Sequence, residues 1–188
     1  MFKLAGLGLK KTARTAPPAP EPTELALGKA ADAAFDALPA EHRKRLGEVR
    51  EVIRRLQADA HALRGREAEL DQAMSEAGAE KVLRDKRRLE ELRAAPGKKL
   101  EAALLDRRIG AVADLEAARQ KARDRLASAV AALENIRIDL LRLRAGVGTP
   151  DELTADLEVA LEIGREIDAE LAGRREAASL LAEPTGSG

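Results

Sequence analysis

The chain offers few residues with which to do covalent or redox chemistry. His42 and His61 are its only histidines and it has no cysteine. About five helical turns separate the two imidazoles, so they share no metal-binding face and read as solvated surface residues. Two acidic runs stand out, Glu67/Glu69/Asp71 and Glu162/Glu166/Asp168/Glu170. A di-iron bundle needs inward glutamates joined by a Glu-X-X-His step, and no such step occurs, so these acids read as a water-facing surface. Ala145-Gly146-Val147-Gly148-Thr149 has glycines but no preceding strand and no following lysine, which makes it a turn and not a phosphate loop. The only serines are Ser75, Ser128, Ser179 and Ser187, and none belongs to a Ser/His/Asp arrangement. The expectation is therefore a protein without catalytic activity, cofactor, metal or small-molecule substrate.

The one concentrated chemical feature is positive charge. Lys81, Arg84, Lys86, Arg87, Arg88, Arg93, Lys98 and Lys99, followed by Arg107 and Arg108, give residues 79–114 a net +3. Seven acids are interleaved, so the run reads first as a solvated helix face. The alternatives are a docking patch for an acidic partner and one for an anionic membrane. Nucleic acid ranks last, because the whole chain has 33 basic and 33 acidic residues and only 1% aromatics. A nucleic-acid grip carries a strong positive balance and aromatics to stack bases. Residues 149–188 sum to −7, so the basic surface can be answered by the chain's own acidic end.

Helices must position these charges. The composition is rich in Ala, Leu, Glu and Arg, the strongest helix formers, and poor in strand formers. The pattern predicts an all-α fold with helices near 24–38, 40–94 (broken near 78), 98–145 and 150–182. Leu27, Ala31, Ala34, Phe35 and Leu38 form one stripe, ended by Pro39. Leu46, Val49, Ile53, Leu56, Ala60, Leu63, Glu67, Leu70 and Met74 follow alternating steps of three and four, a coiled-coil seam. Gly78 breaks the phase, and Val82, Leu89 and Leu92 resume it. Pro96-Gly97 reads as a hairpin turn. Beyond it the seam continues through Leu105, Arg108, Val112, Leu115, Arg119, Ala122, Leu126, Ala129, Leu133, Ile136, Leu140 and Leu143. Val130, Ile138 and Leu141 add a second stripe, and a helix with two stripes needs two neighbours. Gly146 stops that helix, and Thr149-Pro150-Asp151-Glu152 is a capping box that starts the next. In the last helix Leu153, Leu157, Ala160, Gly164, Ile167, Leu171, Ala178 and Leu181 face inward.

The expected architecture is an antiparallel helical hairpin within a three-helix coiled-coil bundle over 24–183. Residues 79–114 project from it as a two-helix extension. Asp85 and Arg108 lie equally far from the turn on seam positions, so they are expected to set register as an acid–base pair, or else to extend outward from a thin hairpin. Residues 1–23 read as a disordered basic and proline-rich tail. There Phe2, Leu4, Leu7, Leu9, Lys10 and Lys11 could dip into a membrane surface. No apolar run is long enough to span a bilayer.

The stretch from Ala132 to Gly146 (ALENIRIDLLRLRAG), with Leu153-Thr154-Ala155-Asp156-Leu157 and Glu162-Ile163-Gly164-Arg165-Glu166-Ile167-Asp168, resembles the C-terminal helical regions attached to some bacterial serine/threonine-kinase-like proteins. Leu38-Pro39-Ala40-Glu41-His42-Arg43 through Leu56 is similar to the opening of those regions. The resemblance covers about 38–182 and carries no catalytic residue. It implies a bacterial, cytoplasmic accessory module in signalling or membrane-proximal assembly. Three functional readings follow: a non-catalytic scaffold or adaptor that self-associates or binds a helical protein, a peripheral module at the inner face of a membrane, and a nucleic-acid binder.

Overall fold

The computed structural model describes residues 22–182, with the side chains of Leu83 and of residues 174–182 outside the description. Residues 1–21 of the expected tail, including Phe2, Leu4, Leu7, Leu9, Lys10 and Lys11, lie outside the described residues, while Thr23, expected in the tail, already belongs to the first helix. What is described is all-α: α1 (Thr23–Asp36), α2 (Ala40–Arg45), α3 (Val49–Glu76), α4 (Ala79–Arg84), α5 (Lys86–Ala94), α6 (Lys99–Arg144) and α7 (Pro150–Ala182).

The chain doubles back twice around α6, a helix ~69 Å long at ~1.5 Å per residue. Pro96-Gly97 is a hairpin turn, with Gly97 at φ +77° where a side chain would be strained. Returning from it, α6 runs antiparallel to α3–α5. Arg119 meets Asp71 at 2.9 Å, and Arg93 meets Asp106 at 3.1 Å nearer the turn. At the far end Gly146 adopts φ +74°. The Gly146 N–H donates to the Leu143 carbonyl (3.2 Å) and the Val147 N–H to the Arg142 carbonyl (3.0 Å). This is a Schellman closure of α6. The expected capping box opens α7: the Thr149 N–H donates to the Glu152 carboxylate (3.0 Å), and the Glu152 N–H to the Thr149 hydroxyl oxygen (3.3 Å). α7 then returns along α6, with Arg142 paired to Glu152 and Lys121 and Arg125 to Glu170.

The three-helix bundle of α3, α6 and α7 is present, and α1 adds a fourth member, packing on both α3 and α6. It approaches the side of α3 marked by Arg50, Gln57 and Arg64, whereas α7 takes the side marked by Arg55 and Asp59. The core is one cluster in which Leu56, Leu133, Ala129 and Leu171 all take part. A smaller cluster closes the hairpin arm, formed by Ala79, Val82, Leu89, Ala102, Ile109 and Val112. Gly78 at φ +63° ends α3 between them. The side chains of Ala178 and Leu181 lie outside the description.

Three details differ from expectation. The 40–94 segment breaks at Leu46–Glu48 and at Asp85 as well as at Gly78; Gly47 and Asp85 are weak helix formers. Ile138 is 41% exposed, because it lies on the side of α6 opposite the seam, beyond the reach of the flanking helices. Within the arm the seam of α6 is Ala102, Leu105, Ile109 and Val112. That set keeps the three-four rhythm with an isoleucine where the expected seam had Arg108, and Arg108 is exposed.

Losing the cap should loosen α7. Thr149→Ala is expected to cost about 1 kcal/mol, read as a lowered urea midpoint with an unchanged slope.

Candidate functional site

The expected register pair does not form. Asp85 sits at the α4–α5 break and Arg108 faces the same shallow groove, but no ion pair joins them; Arg108 donates instead to the Ala77 carbonyl at 3.4 Å. Register is held one step further into the molecule, between the two apolar clusters. Arg119 pairs with Asp71 and with Glu116 (2.6 Å), and Arg123 pairs with Glu67. The signal was partly in the sequence: Glu67 is the polar residue of an otherwise apolar seam, and Arg119 is the polar residue left in the α6 seam once Ile109 replaces Arg108.

The basic patch is exposed along the arm. Within it Arg84 pairs with Glu80, Arg93 with Glu90 and Asp106, and Lys98 with Glu101. Lys81, Lys86, Arg87, Arg88 and Lys99 enter no ion pair among the described residues. Beside these cations Leu100 and Leu104 are 74% and 62% exposed. Their exposure follows from the seam shift: once Ala102 and Ile109 turn inward, residues 100 and 104 turn out. Lys81, Arg88 and Arg108 rim a groove whose apolar lining is Leu92, Leu104 and Leu105, with Asp85 and Glu101 also on its walls.

Acids on α7 meet both signs of charge. Arg55 pairs with Asp168, and Arg125 donates to the Glu166 carbonyl and pairs with Glu170. Two contacts are acid against acid. Asp156 faces Asp139, itself bound to Arg142 at 2.8 Å. Asp59 presents a buried oxygen without a hydrogen-bond partner to Gly164, near Asp168. Burial, followed by the neighbouring carboxylate, pushes both Asp156 and Asp59 above the ordinary aspartate value.

Sequence reasoning missed Glu24. It is fully buried at the start of α1, where Arg64 grips both carboxylate oxygens at 2.7 and 2.6 Å and His61 lies 3.5 Å away. The hydrogen bonds from Arg64 hold its carboxyl below the usual range. Its place was legible, because Glu24 is seven residues ahead of Ala31 on the buried stripe. His61 is an exposed partner of this pair, and His42 is half-buried in α2. Among the described residues no group of three His, Cys, Asp or Glu side chains is placed to hold a metal ion, and no helix is long and apolar enough to cross a membrane.

Compared with protein families, with curated proteins and with solved structures, the chain matches none.

The two kinds of carboxylate have opposite pH signatures. Glu24 has a folded pKa below its ordinary 4.5, so its stabilisation is whole above about 4.5 and fades as the pH falls through the lower folded value. Asp156 has a folded pKa above its ordinary 3.8. Its ionised form therefore weakens the fold, a cost absent below about 3.8 and complete above the raised value. Glu24→Ala should lose about 1–3 kcal/mol at pH 7, with the deficit shrinking under acid. Asp156→Asn should be more stable than the parent at pH 7 and lose that advantage near pH 3.5. Urea midpoints across pH 3–7 check both.

Proposed function

We propose that the chain is a non-catalytic helical scaffold or adaptor that uses the α4–α6 arm to engage a helical protein, another chain or a second copy of itself. The observation that carries this reading is the juxtaposition of Leu100 and Leu104 with unpaired cations on a part of the molecule that has its own small core. Exposed leucines flanked by free charge favour a partner that is apolar along one stripe and charged beside it. The rest of the ionisable network supports a structural role: the perturbed carboxylates and guanidiniums sit in contacts between or along helices, where they fix which helix lies on which. A bacterial cytoplasmic signalling setting enters this reading through the resemblance of residues 38–182 alone.

Attachment to a membrane is the second reading, favoured by the same leucines and cations. The interleaved Glu90, Glu91, Glu101 and Asp106 count against it, since an anionic lipid surface repels them while a patterned protein surface can answer both signs.

A photo-crosslinking side chain placed at position 104 of the full chain should give discrete protein adducts in cells. The same group at position 165, exposed on α7, should give none of those bands. Lipid adducts alone, or no adduct specific to position 104, would remove the scaffold reading.

A further inference from the structure

The groove beside Leu104 lies on the same side of α6 that α7 covers higher up. Lys121 and Arg125, the cations that hold Glu170 of α7, stand three heptads beyond Leu100 and Leu104. Each heptad of a straight helix drifts by only about 20°, so three heptads leave the two leucines within about 60° of the line on which Lys121 and Arg125 meet α7. The pairs Arg142–Glu152 and Arg125–Glu170 fix the antiparallel register of α6 and α7. Extended at that register, α7 (to Ala182) ends near the level of Val112, about one turn short of Arg108 and about two short of Leu104. The track of α7 therefore continues past its end as an open groove.

The docked part of that track shows what it accepts. Leu153, Leu157, Ala160 and Ile167 of α7 bury an apolar stripe, while Glu152, Asp168 and Glu170 meet Arg142, Arg55, Lys121 and Arg125 at its edges. The open part has the same layout without an occupant among the described residues. Its lining is Leu92, Leu104 and Leu105, and its rim carries Lys81, Arg88 and Arg108, none of them in an ion pair among the described residues. Of the two acids on the groove walls, Glu101 is already bound by Lys98 at 2.7 Å, which leaves the rim basic.

We infer that this groove is the docking site for an acidic amphipathic helix supplied by another polypeptide, laid end to end with α7 on the face of α6 that carries Leu100 and Leu104. The inference rests on the scaffold reading and narrows it by naming the chemistry of the partner. A second copy of this chain is not the occupant, because the apolar stripe of its own α7 is already buried.

The test uses the full chain and, as the probe, a fluorescent peptide of residues 149–173, which is an acidic amphipathic helix of the kind the track already holds. The peptide should bind with a salt-sensitive affinity. Leu104→Glu and Arg88→Glu, both at exposed positions, should each weaken it about tenfold or more, equivalent to ~1.4 kcal/mol or more. Arg165→Glu should leave binding unchanged, and circular dichroism should show all three variants folded. Four results would each overturn the inference. The peptide could fail to bind, or it could bind the arm variants as well as the parent by exchanging with α7. A sequence-scrambled peptide of equal charge could bind as tightly, or the chain could bind phosphatidylserine vesicles through Leu104 and Arg88 in place of the peptide. Protein adducts at position 104 alongside a failed peptide would leave the scaffold reading standing and remove only this one.

Discussion

One constraint organises the molecule: α6 is apolar on more than one side along its C-terminal half and must be covered on each. From Ala122 to Leu143 it buries Leu126, Ala129, Ala132, Leu133, Ile136 and Leu140. No single neighbour can cover both the seam and its flanks, because one helix packed on another covers only about a third of the circumference. The chain answers with α3 on the seam and α1 and α7 beside it. Toward the Pro96-Gly97 turn the apolar width of α6 narrows to Ala102, Leu105, Ile109 and Val112, for which α4 and α5 suffice. Bundle and arm are thus two responses of one helix to a change in its own sequence.

Charge decides alignment where apolar contact is indifferent. Leucine and alanine seams tolerate sliding by a heptad, and buried or half-buried ion pairs do not. The layer of Glu67, Asp71, Arg119 and Arg123 and the Glu24–Arg64 pair each specify one level of one helix against another. α7 is held less comfortably, since its attractive pairs with Arg55, Arg125 and Arg142 coexist with the Asp156–Asp139 and Asp59–Asp168 contacts. The acidity of this helix therefore both orients it and works against its own docking.

Much of this was legible in the residues. The three-four spacing from Leu46 to Met74, the glycine at 78, Pro96-Gly97 and Thr149-Pro150-Asp151-Glu152 placed the major turns, because each is a local signal with a local physical cause. The antiparallel levels followed from where those turns fall. What the spacing could not decide was which of two adjacent residues faces inward when both fit the rhythm. Arg108 and Ile109 posed that choice, and the apolar one is buried. The packing of α1 was also hidden, because a short helix with a modest stripe does not announce how many neighbours it will have. Glu24 was passed over for a related reason: an acid in a first turn already suits the helix dipole and gives no local sign of burial. The exposed pair Leu100 and Leu104 became meaningful only once the inward positions beside it were fixed.

The boundary between the two apolar clusters has a mechanical corollary. Gly78 breaks one limb of the hairpin about two turns beyond Asp71, past a level where Glu67, Asp71, Arg119 and Arg123 flank an interior narrowed to Leu70 and Ala122. Cooperativity travels through packed side chains, and here it meets a thin apolar neck followed by a helix break. The arm can fray and re-zip while the four-helix body stays shut, so its amide protons should trade with solvent through small local openings and those of Ile53 or Leu133 only through wholesale unravelling.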